Sequence, residues 1–128
     1  MPEMNKLLSD VILMLNNSVV CLSSEVRETN IFPDGNFIVK IRAKLRQDCQ
    51  LQIRFYYNQG HYDYSYQLYE GNMIARWDNA EHFPHLNTFP HHFHSKDGKI
   101  TESPLSGDPF HDFPIVLREI EQIVISIE

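Results

Sequence analysis

Histidines concentrate in one short part of the chain. Five of the seven lie within residues 82–94, just after Asp78 and Asn79, and two prolines stand among them. Proline fixes φ and removes an N–H donor, so neither a helix nor a regular strand is predicted through these residues. Imidazoles beside a carboxylate can move protons or bind a metal ion. Residues 76–94, here called the histidine segment, are therefore the candidate functional region.

A metal site is the first hypothesis for the histidine segment. His92 and His94 are two residues apart, so in an extended chain both side chains point the same way. Asp78 could add an oxygen ligand and His82 a further nitrogen, and zinc takes three or four such ligands. No HExxH pair of the kind found on metalloprotease helices is present. A divalent metal such as zinc is the one cofactor the segment would suit, and the other hypotheses need none.

Metal-free acid–base chemistry is the second hypothesis. Cleavage of RNA by its own 2′-OH needs a group that accepts a proton, a group that donates one, and a cation beside the phosphate. Imidazole can fill either proton role near neutral pH, which makes His91, His92 and His94 candidates. Arg76 could hold the phosphate, and Asp78 could orient an imidazole as a carboxylate does in a catalytic triad.

A structural role is the third hypothesis. In this interpretation the segment is a proline-stiffened loop packed by Phe83, Phe89 and Phe93, and its histidines bond to backbone groups. The residue pattern alone leaves all three hypotheses open.

Alternation of apolar and polar residues dominates the middle of the chain. The alternating runs cover residues 37–46, 49–57, 62–68 and 73–77, and period two indicates strands with one buried face. A two-residue turn at Gln59-Gly60 places Tyr57 opposite Tyr62, so that apolar side chains face each other. The pattern predicts an antiparallel meander of four strands, or of five if the weaker pattern over residues 19–31 forms a strand.

Helical spacing of apolar residues marks both ends of the chain. It runs from Asn5 to Leu15 and from Ile115 to Ile127, and Asp112 is placed to cap the second helix. The predicted fold class is therefore α+β: a four- to five-stranded antiparallel meander sheet flanked by an N-terminal and a C-terminal helix. Residues 1–128 are expected to form one domain.

Composition and charge exclude some classes of protein. No run approaches the roughly 20 apolar residues of a membrane span, so we expect a cytoplasmic protein with no membrane partner. A net charge of −6 argues against a protein that coats nucleic acid non-specifically, because such binders depend on clustered lysine and arginine.

One face of the predicted sheet is nevertheless basic. The predicted register puts four cationic side chains on the outer face, here called the basic face: Lys40, Arg42, Lys44 and Arg54. This face is either a solvated surface that discourages aggregation or a contact surface for RNA phosphates or an acidic partner.

The histidine segment resembles the signature of a known family, the TumE-type toxins. Its R-W-D-N-A-E-H run at residues 76–82 and its T-F-P-H-H-F-H run at residues 88–94 are similar to the family pattern R-Y-D-N-A-P-H-H…T-F-P-H-H-K-H. The residues that match are Arg76, Asp78, Asn79, His82, His91, His92 and His94. The residues that depart from it are Trp77, Glu81, Phe83 and His85.

The resemblance implies the toxin of a type II toxin–antitoxin pair from bacteria or archaea. Such a toxin inhibits growth and is held in check by a cognate antitoxin, expected here to be a small DNA-binding protein. The resemblance leaves open whether the chain is an enzyme, and a ribonuclease is the expectation if it is. The expected functional residues are Asp78, His91, His92 and His94, supported by Arg76 and His82. The alternatives are a non-catalytic binding module that uses the basic face, and a His/Asp metal-binding protein.

Overall fold

Seven antiparallel strands form one sheet in the computed structural model, which describes residues 3–128, and a helix precedes and another follows them in the chain. The elements are α1 (Glu3–Asn17), β1 (Cys21–Ile31), β2 (Phe37–Leu45), β3 (Gln50–Asn58), β4 (His61–Glu70), β5 (Asn72–Asp78), β6 (His92–His94), β7 (Ile100–Glu102) and α2 (Pro109–Ile127). Neither described helix is long and apolar enough to cross a membrane.

The sheet is a meander in which each strand pairs with the next one along the chain, from β1 to β7. This confirms the predicted α+β class, its antiparallel meander and its two flanking helices. The predicted number of strands was wrong, because the sheet has seven rather than four or five. The two additional strands, β6 and β7, have three residues each. Alternation over three residues is too short to identify β6, whereas the sequence does indicate a short strand around Lys99-Ile100-Thr101, which β7 confirms.

The predicted register between β3 and β4 is confirmed. Tyr57 lies opposite Tyr62, and Gln59 and Gly60 form the connecting turn with φ values of 49° and 85°. Both residues are in the left-handed region that two-residue hairpin turns require. In the next hairpin, formed by β4 and β5, a register shift between Leu68 and Tyr69 keeps the apolar side chains of both strands on the same face of the sheet.

Both helices pack on one face of the sheet, here called the inner face. In α1 the buried residues are Met4, Leu7, Val11 and Leu15, a spacing of three or four that forms one helix face. The large inner-face side chains of the central strands are buried with them, including Phe55 and Tyr66, which are fully enclosed. Neither described helix packs on the opposite face of the sheet, here called the outer face, where most side chains of β2 to β5 are partly exposed.

Helix α2 begins earlier than the sequence pattern indicates. Asp108 is its N-cap, its carboxylate accepts a hydrogen bond from a backbone N–H of the first turn, and Pro109 follows it at the start of the helix. The prediction of Asp112 as the cap was wrong. Asp112 is fully buried and accepts hydrogen bonds from the backbone N–H groups of Ser106 and Gly107. Its carboxylate therefore fixes the loop that leads into the helix.

Candidate functional site: a buried carboxylate with two imidazoles and a guanidinium

Strands β5 and β6 bring the two halves of the histidine segment together. Asp78 lies opposite His92 and Arg76 lies opposite His94. Residues directly opposite each other on antiparallel strands project from the same face of the sheet. All four side chains, here called the Asp78 cluster, therefore project from the outer face. Residues 79–91, which connect the two strands, form a series of turns.

Asp78 is the centre of this cluster. The Nε atom of Arg76 donates a hydrogen bond of 2.7 Å to its Oδ2 atom, and the backbone N–H of Ala80 donates one of 3.0 Å to its Oδ1 atom. The Nε2 atom of His92 lies 2.9 Å from Oδ1, and the Nε2 atom of His94 lies 3.3 Å from Oδ2. Each oxygen of one buried carboxylate therefore contacts one imidazole and one further donor.

The surroundings of Asp78 keep it ionised. Burial raises the pKa of the Asp78 carboxyl. The hydrogen bonds from Arg76 and Ala80, together with electrostatic interactions with His92 and Arg76, lower that pKa by a larger amount, so the net shift is downward. The pKa of His94 is also lowered, first because the ring is partly buried and then because of electrostatic interactions with His92 and Arg76, although Asp78 opposes the shift. The structure thus favours a carboxylate beside a neutral His94 at neutral pH.

The two imidazoles differ in their access to solvent. The His92 side chain is 1% exposed, whereas 22% of the His94 side chain is exposed. The Nδ1 atom of His92 lies 3.0 Å from the carbonyl oxygen of Pro90, which fixes the orientation of the ring. His94 is therefore the imidazole of the cluster that a solvent-borne ligand can reach.

Arg76 is held at both ends of its guanidinium. Its Nε atom bonds to Asp78, and its Nη1 atom donates a 2.6 Å hydrogen bond to the side-chain oxygen of Gln67 on β4. Two fixed contacts restrict the planar guanidinium to one orientation. Its side chain is still 37% exposed, so it retains N–H groups for an external anion.

Phe83 covers the two imidazoles. Its ring centroid lies 4.7 Å from that of His92 and 6.1 Å from that of His94, both in edge-to-face geometry. His82 and His85 contact the same phenyl ring but are exposed, and neither approaches Asp78 closely enough to share an ion with it. The structure therefore does not bring His82 into the Asp78 cluster.

His91 lies on the inner side of the sheet, away from the Asp78 cluster. Its Nδ1 atom is 2.8 Å from the hydroxyl oxygen of Tyr64, and its ring lies so near Gly107 that a Cβ atom at that position would be 3.2 Å from the ring. Burial lowers the pKa of His91. The ring lines an open cleft of about 650 Å³ together with Tyr62 and Asp108. The sequence grouped His91 with His92 and His94, and the structure separates it from them.

Asn79 shapes the backbone at the end of β5. Its side-chain oxygen accepts a hydrogen bond from the backbone N–H of Tyr64, and its side-chain nitrogen donates to the carbonyl of Tyr62. The amide thus substitutes for strand pairing at the point where β5 leaves β4. We assign Asn79 a positioning role for the adjacent Asp78.

The basic face continues into the Asp78 cluster through the register of the sheet. One line of directly opposite residues crosses five strands in the order Lys40, Arg54, Ser65, Asp78, His92. The neighbouring line runs in the order Arg42, Gln52, Gln67, Arg76, His94. Cations on β2 and β3 therefore share the outer face with the carboxylate and imidazoles on β5 and β6.

Sequence reasoning missed three contributors to the site. Gln67 is a polar residue of an alternating strand, and nothing in the sequence indicates its hydrogen bond to Arg76. Phe83 was noted only as a departure from the family pattern and as a loop-packing residue. The carbonyl of Pro90 carries no side-chain signal, so its contact with His92 could be found only from coordinates.

One group of side chains within residues 3–128 is arranged so that it could hold a metal ion. It consists of Asp78, His92 and His94, whose candidate ligand atoms lie within 4.8 Å of one another. His82, the fourth candidate from the sequence, is not a member of the group.

A family comparison agrees with the resemblance in the histidine segment. The model of the family described as toxin TumE matches residues 10–124, a range that runs from α1 through the whole sheet into α2. No match was found among curated proteins or among solved structures. Because the match covers most of the chain and includes the complete Asp78 cluster, the chain belongs to the TumE toxin family.

Proposed function

We propose that this toxin inhibits growth by cleaving RNA at the Asp78 cluster. One observation carries the proposal: a single buried carboxylate holds two imidazoles and a guanidinium on an open sheet face whose other strands present cations. A toxin of this kind is paired with an antitoxin, which we propose is a small DNA-binding protein. The site of action would be the cytoplasm, where both RNA and antitoxin occur.

The proposed reaction is an internal transfer within RNA. The 2′-oxygen attacks the adjacent phosphorus while its proton leaves, and the bond from phosphorus to the 5′-oxygen breaks as that oxygen gains a proton. The products are a 2′,3′-cyclic phosphate and a 5′-hydroxyl, with no net gain or loss of water. The reaction needs stabilisation of charge on the phosphate oxygens and control of two protons.

The residues of the cluster differ in what they can contribute. Arg76 is oriented by Asp78 and Gln67 and has free N–H groups, so it suits a phosphate oxygen. His94 is the imidazole that a substrate can reach. His92 is enclosed and therefore acts through Asp78 as a positioning residue.

The basic face supports binding of the RNA backbone. Lys40 and Asp78 stand in the same line of residues and are separated by three strand intervals, which corresponds to about 14 Å. Cations at this distance can hold neighbouring phosphates while one phosphate occupies the cluster. Lys40 also contacts Glu28 at 3.4 Å, an exposed ion pair that RNA could displace at little cost.

A second candidate function uses the same face without chemistry. Four cationic side chains on one open face of a chain with a net charge of −6 also suit a module that binds an acidic protein. In that case the Asp78 cluster would only stabilise the end of the sheet. The two functions differ in whether the purified protein breaks RNA.

The test is a cleavage assay with purified full-length protein and a labelled RNA. We expect cleavage by the wild type, with 2′,3′-cyclic phosphate ends on the products. His94→Ala removes the accessible imidazole, whereas His85→Ala removes an exposed histidine outside the cluster and is the matched control. Loss of cleavage in His94→Ala alone supports the proposal. Equal cleavage by both variants, or none by folded wild type, contradicts it.

A further inference from the structure

We infer that Asp78, His92 and His94 form a binding site for one divalent transition-metal ion, with zinc as the expected occupant. Their candidate ligand atoms converge within 4.8 Å. In a tetrahedral zinc site with bonds of about 2.0–2.1 Å, neighbouring ligand atoms lie about 3.3 Å apart. The two contacts of Asp78, 2.9 Å from Oδ1 to His92 and 3.3 Å from Oδ2 to His94, are close to this spacing. Because they involve different oxygens, an ion would be bound by both oxygens of the carboxylate or would require the carboxylate to turn.

The hydrogen-bond partners of His92 prepare its Nε2 atom as a ligand. A neutral imidazole has one N–H and one lone pair. The carbonyl of Pro90, 3.0 Å from Nδ1, can only accept a hydrogen bond, so Nδ1 carries a hydrogen and Nε2 is the ring atom left to bind an ion. The Nε2 atom faces Oδ1 of Asp78 at 2.9 Å, so a metal ion bound between the two atoms would take the place of the proton that they share.

Backbone carbonyls play the same part around metal-binding histidines in general. A ligating imidazole commonly donates its other N–H to a carbonyl or carboxylate, which fixes both the tautomer and the direction of the ring. The contact between His92 and Pro90 has this form. The His92 ring is fully enclosed and is covered by Phe83. This enclosure keeps competing water away from the imidazole.

Asp78 is also held in place by groups outside the candidate ligand set. Arg76 and the N–H of Ala80 each bond to a different carboxylate oxygen. An ionised carboxylate offers about four lone-pair positions, so each oxygen retains capacity for a metal ion. The carboxylate is thereby oriented before any ion arrives.

Three protein ligands leave a coordination position for a water molecule or a phosphate oxygen. The open side lies toward His94, the ligand that is partly exposed, and toward Arg76. Sites with two histidines and one carboxylate typically bind zinc or another first-row divalent ion, whereas magnesium prefers oxygen ligands alone. The expected site is therefore of the open, reactive type rather than the closed, structural type.

The metal site is inferred from the geometry of its ligand atoms, and only the use of the metal in RNA cleavage rests on the proposed function. With an ion bound, His94 would be a ligand, and Arg76 would remain the residue that binds the phosphate. Binding and cleavage can be measured separately, so failure of one does not imply failure of the other.

The binding test uses full-length protein that has been treated with a chelator and then titrated with Zn²⁺ by calorimetry and with Co²⁺ by visible absorption. We expect one equivalent of each ion, a tetrahedral Co²⁺ spectrum, and no heat from Mg²⁺. His94→Ala should weaken Zn²⁺ binding by more than about 100-fold, since losing even an outer partner of a ligand costs about 10- to 100-fold. His85→Ala should bind as the wild type does.

Two variants guard against an effect of misfolding. His92→Ala leaves a cavity in an enclosed site, so it is interpreted only if its circular dichroism matches that of the wild type, whereas the partly exposed His94 carries the main test. No stoichiometric binding by folded wild type, or equal Zn²⁺ affinity in His94→Ala and wild type, overturns the metal site. If the ion binds but chelator-treated protein cleaves RNA at an unchanged rate, the site is retained and its use in cleavage is overturned.

Discussion

The Nε2 atom of His92 lies 2.9 Å from the Oδ1 atom of Asp78, although a loop of turns separates the two residues in the chain. The contact follows from strand register, because β6 returns along β5 and places the two residues directly opposite each other. The same register puts Arg76 beside His94. The strand β6, which is only three residues long, therefore assembles the candidate site.

Substitution of Arg76 by lysine tests the guanidinium. Lysine keeps the charge but cannot bond to Asp78 and Gln67 through separate nitrogens, so the cation loses its fixed direction. We expect kcat/KM for RNA cleavage to fall about 10- to 100-fold, the value of one charge-assisted hydrogen bond. Arg118→Lys, an exposed position on α2, is the control. An unchanged kcat/KM in Arg76→Lys would remove Arg76 from the reaction.

Reversal of charge on the basic face tests the RNA track. The double variant Lys40→Glu/Arg54→Glu should weaken binding to a long RNA and reduce the slope of log K against log salt by about 0.7 for each lost phosphate contact. Cleavage of a dinucleotide should change little, because these residues lie two or more strands from Asp78. Lys96→Glu/Lys99→Glu, in an exposed turn, is the matched control. Equal RNA affinity in both double variants would show that the basic face does not bind RNA.

Two aspartates near the start of α2 should differ in their effect on stability. Asp112→Ala removes a buried carboxylate and leaves two backbone N–H groups and the Ser106 hydroxyl of a part-buried loop without their acceptor, and we expect a loss of about 2–4 kcal/mol. Asp108→Ala removes an exposed cap and should cost about 1 kcal/mol. Urea unfolding followed by circular dichroism measures both. The reverse order would mean that the contacts of Asp112 with Ser106 and Gly107 contribute little to stability.

Tyr66 should make the fold sensitive to alkaline pH. Its ring is fully enclosed, and burial raises the pKa of its hydroxyl well above the usual value of about 10. The unfolded chain therefore releases the proton at lower pH than the folded chain does. The resulting stability is fully present below about pH 10 and is lost as pH rises toward the folded pKa. Tyr66→Phe should reduce this loss. Identical alkaline unfolding curves for variant and wild type would refute the assignment.

The order of the central strands could be predicted because one physical constraint dominates them. Strands β2 to β5 each bury one face, so their apolar residues alternate, and a slip of one residue would expose Phe55 or Tyr66. Strand β1 lies at an edge of the sheet and most of its residues are exposed, so its sequence shows little alternation. Strands β6 and β7 pair over only three residues each, so of these two only β7 was indicated, as a short strand around Lys99-Ile100-Thr101.

The candidate site was predicted in part. Two residues apart on a strand, His92 and His94 had to share a face, and the structure pairs that face with Asp78. In an extended chain the adjacent His91 points to the opposite face from His92. This inference could not be drawn from the sequence, because it requires knowing that a strand begins at His92. The positions of His82 and Asp112 depended on loop and cap geometry, which the residue pattern does not specify.

Growth after induction of the toxin without its antitoxin tests most directly whether toxicity depends on the Asp78 cluster. Asp78→Asn keeps the shape of the central side chain but removes the charge that gathers the two imidazoles and Arg76. Asp97→Asn makes the same change in an exposed turn. At equal levels of folded protein, we predict growth arrest by the wild type and by Asp97→Asn, and normal growth with Asp78→Asn. Arrest by Asp78→Asn equal to that by the wild type would contradict the assignment of toxicity to the Asp78 cluster.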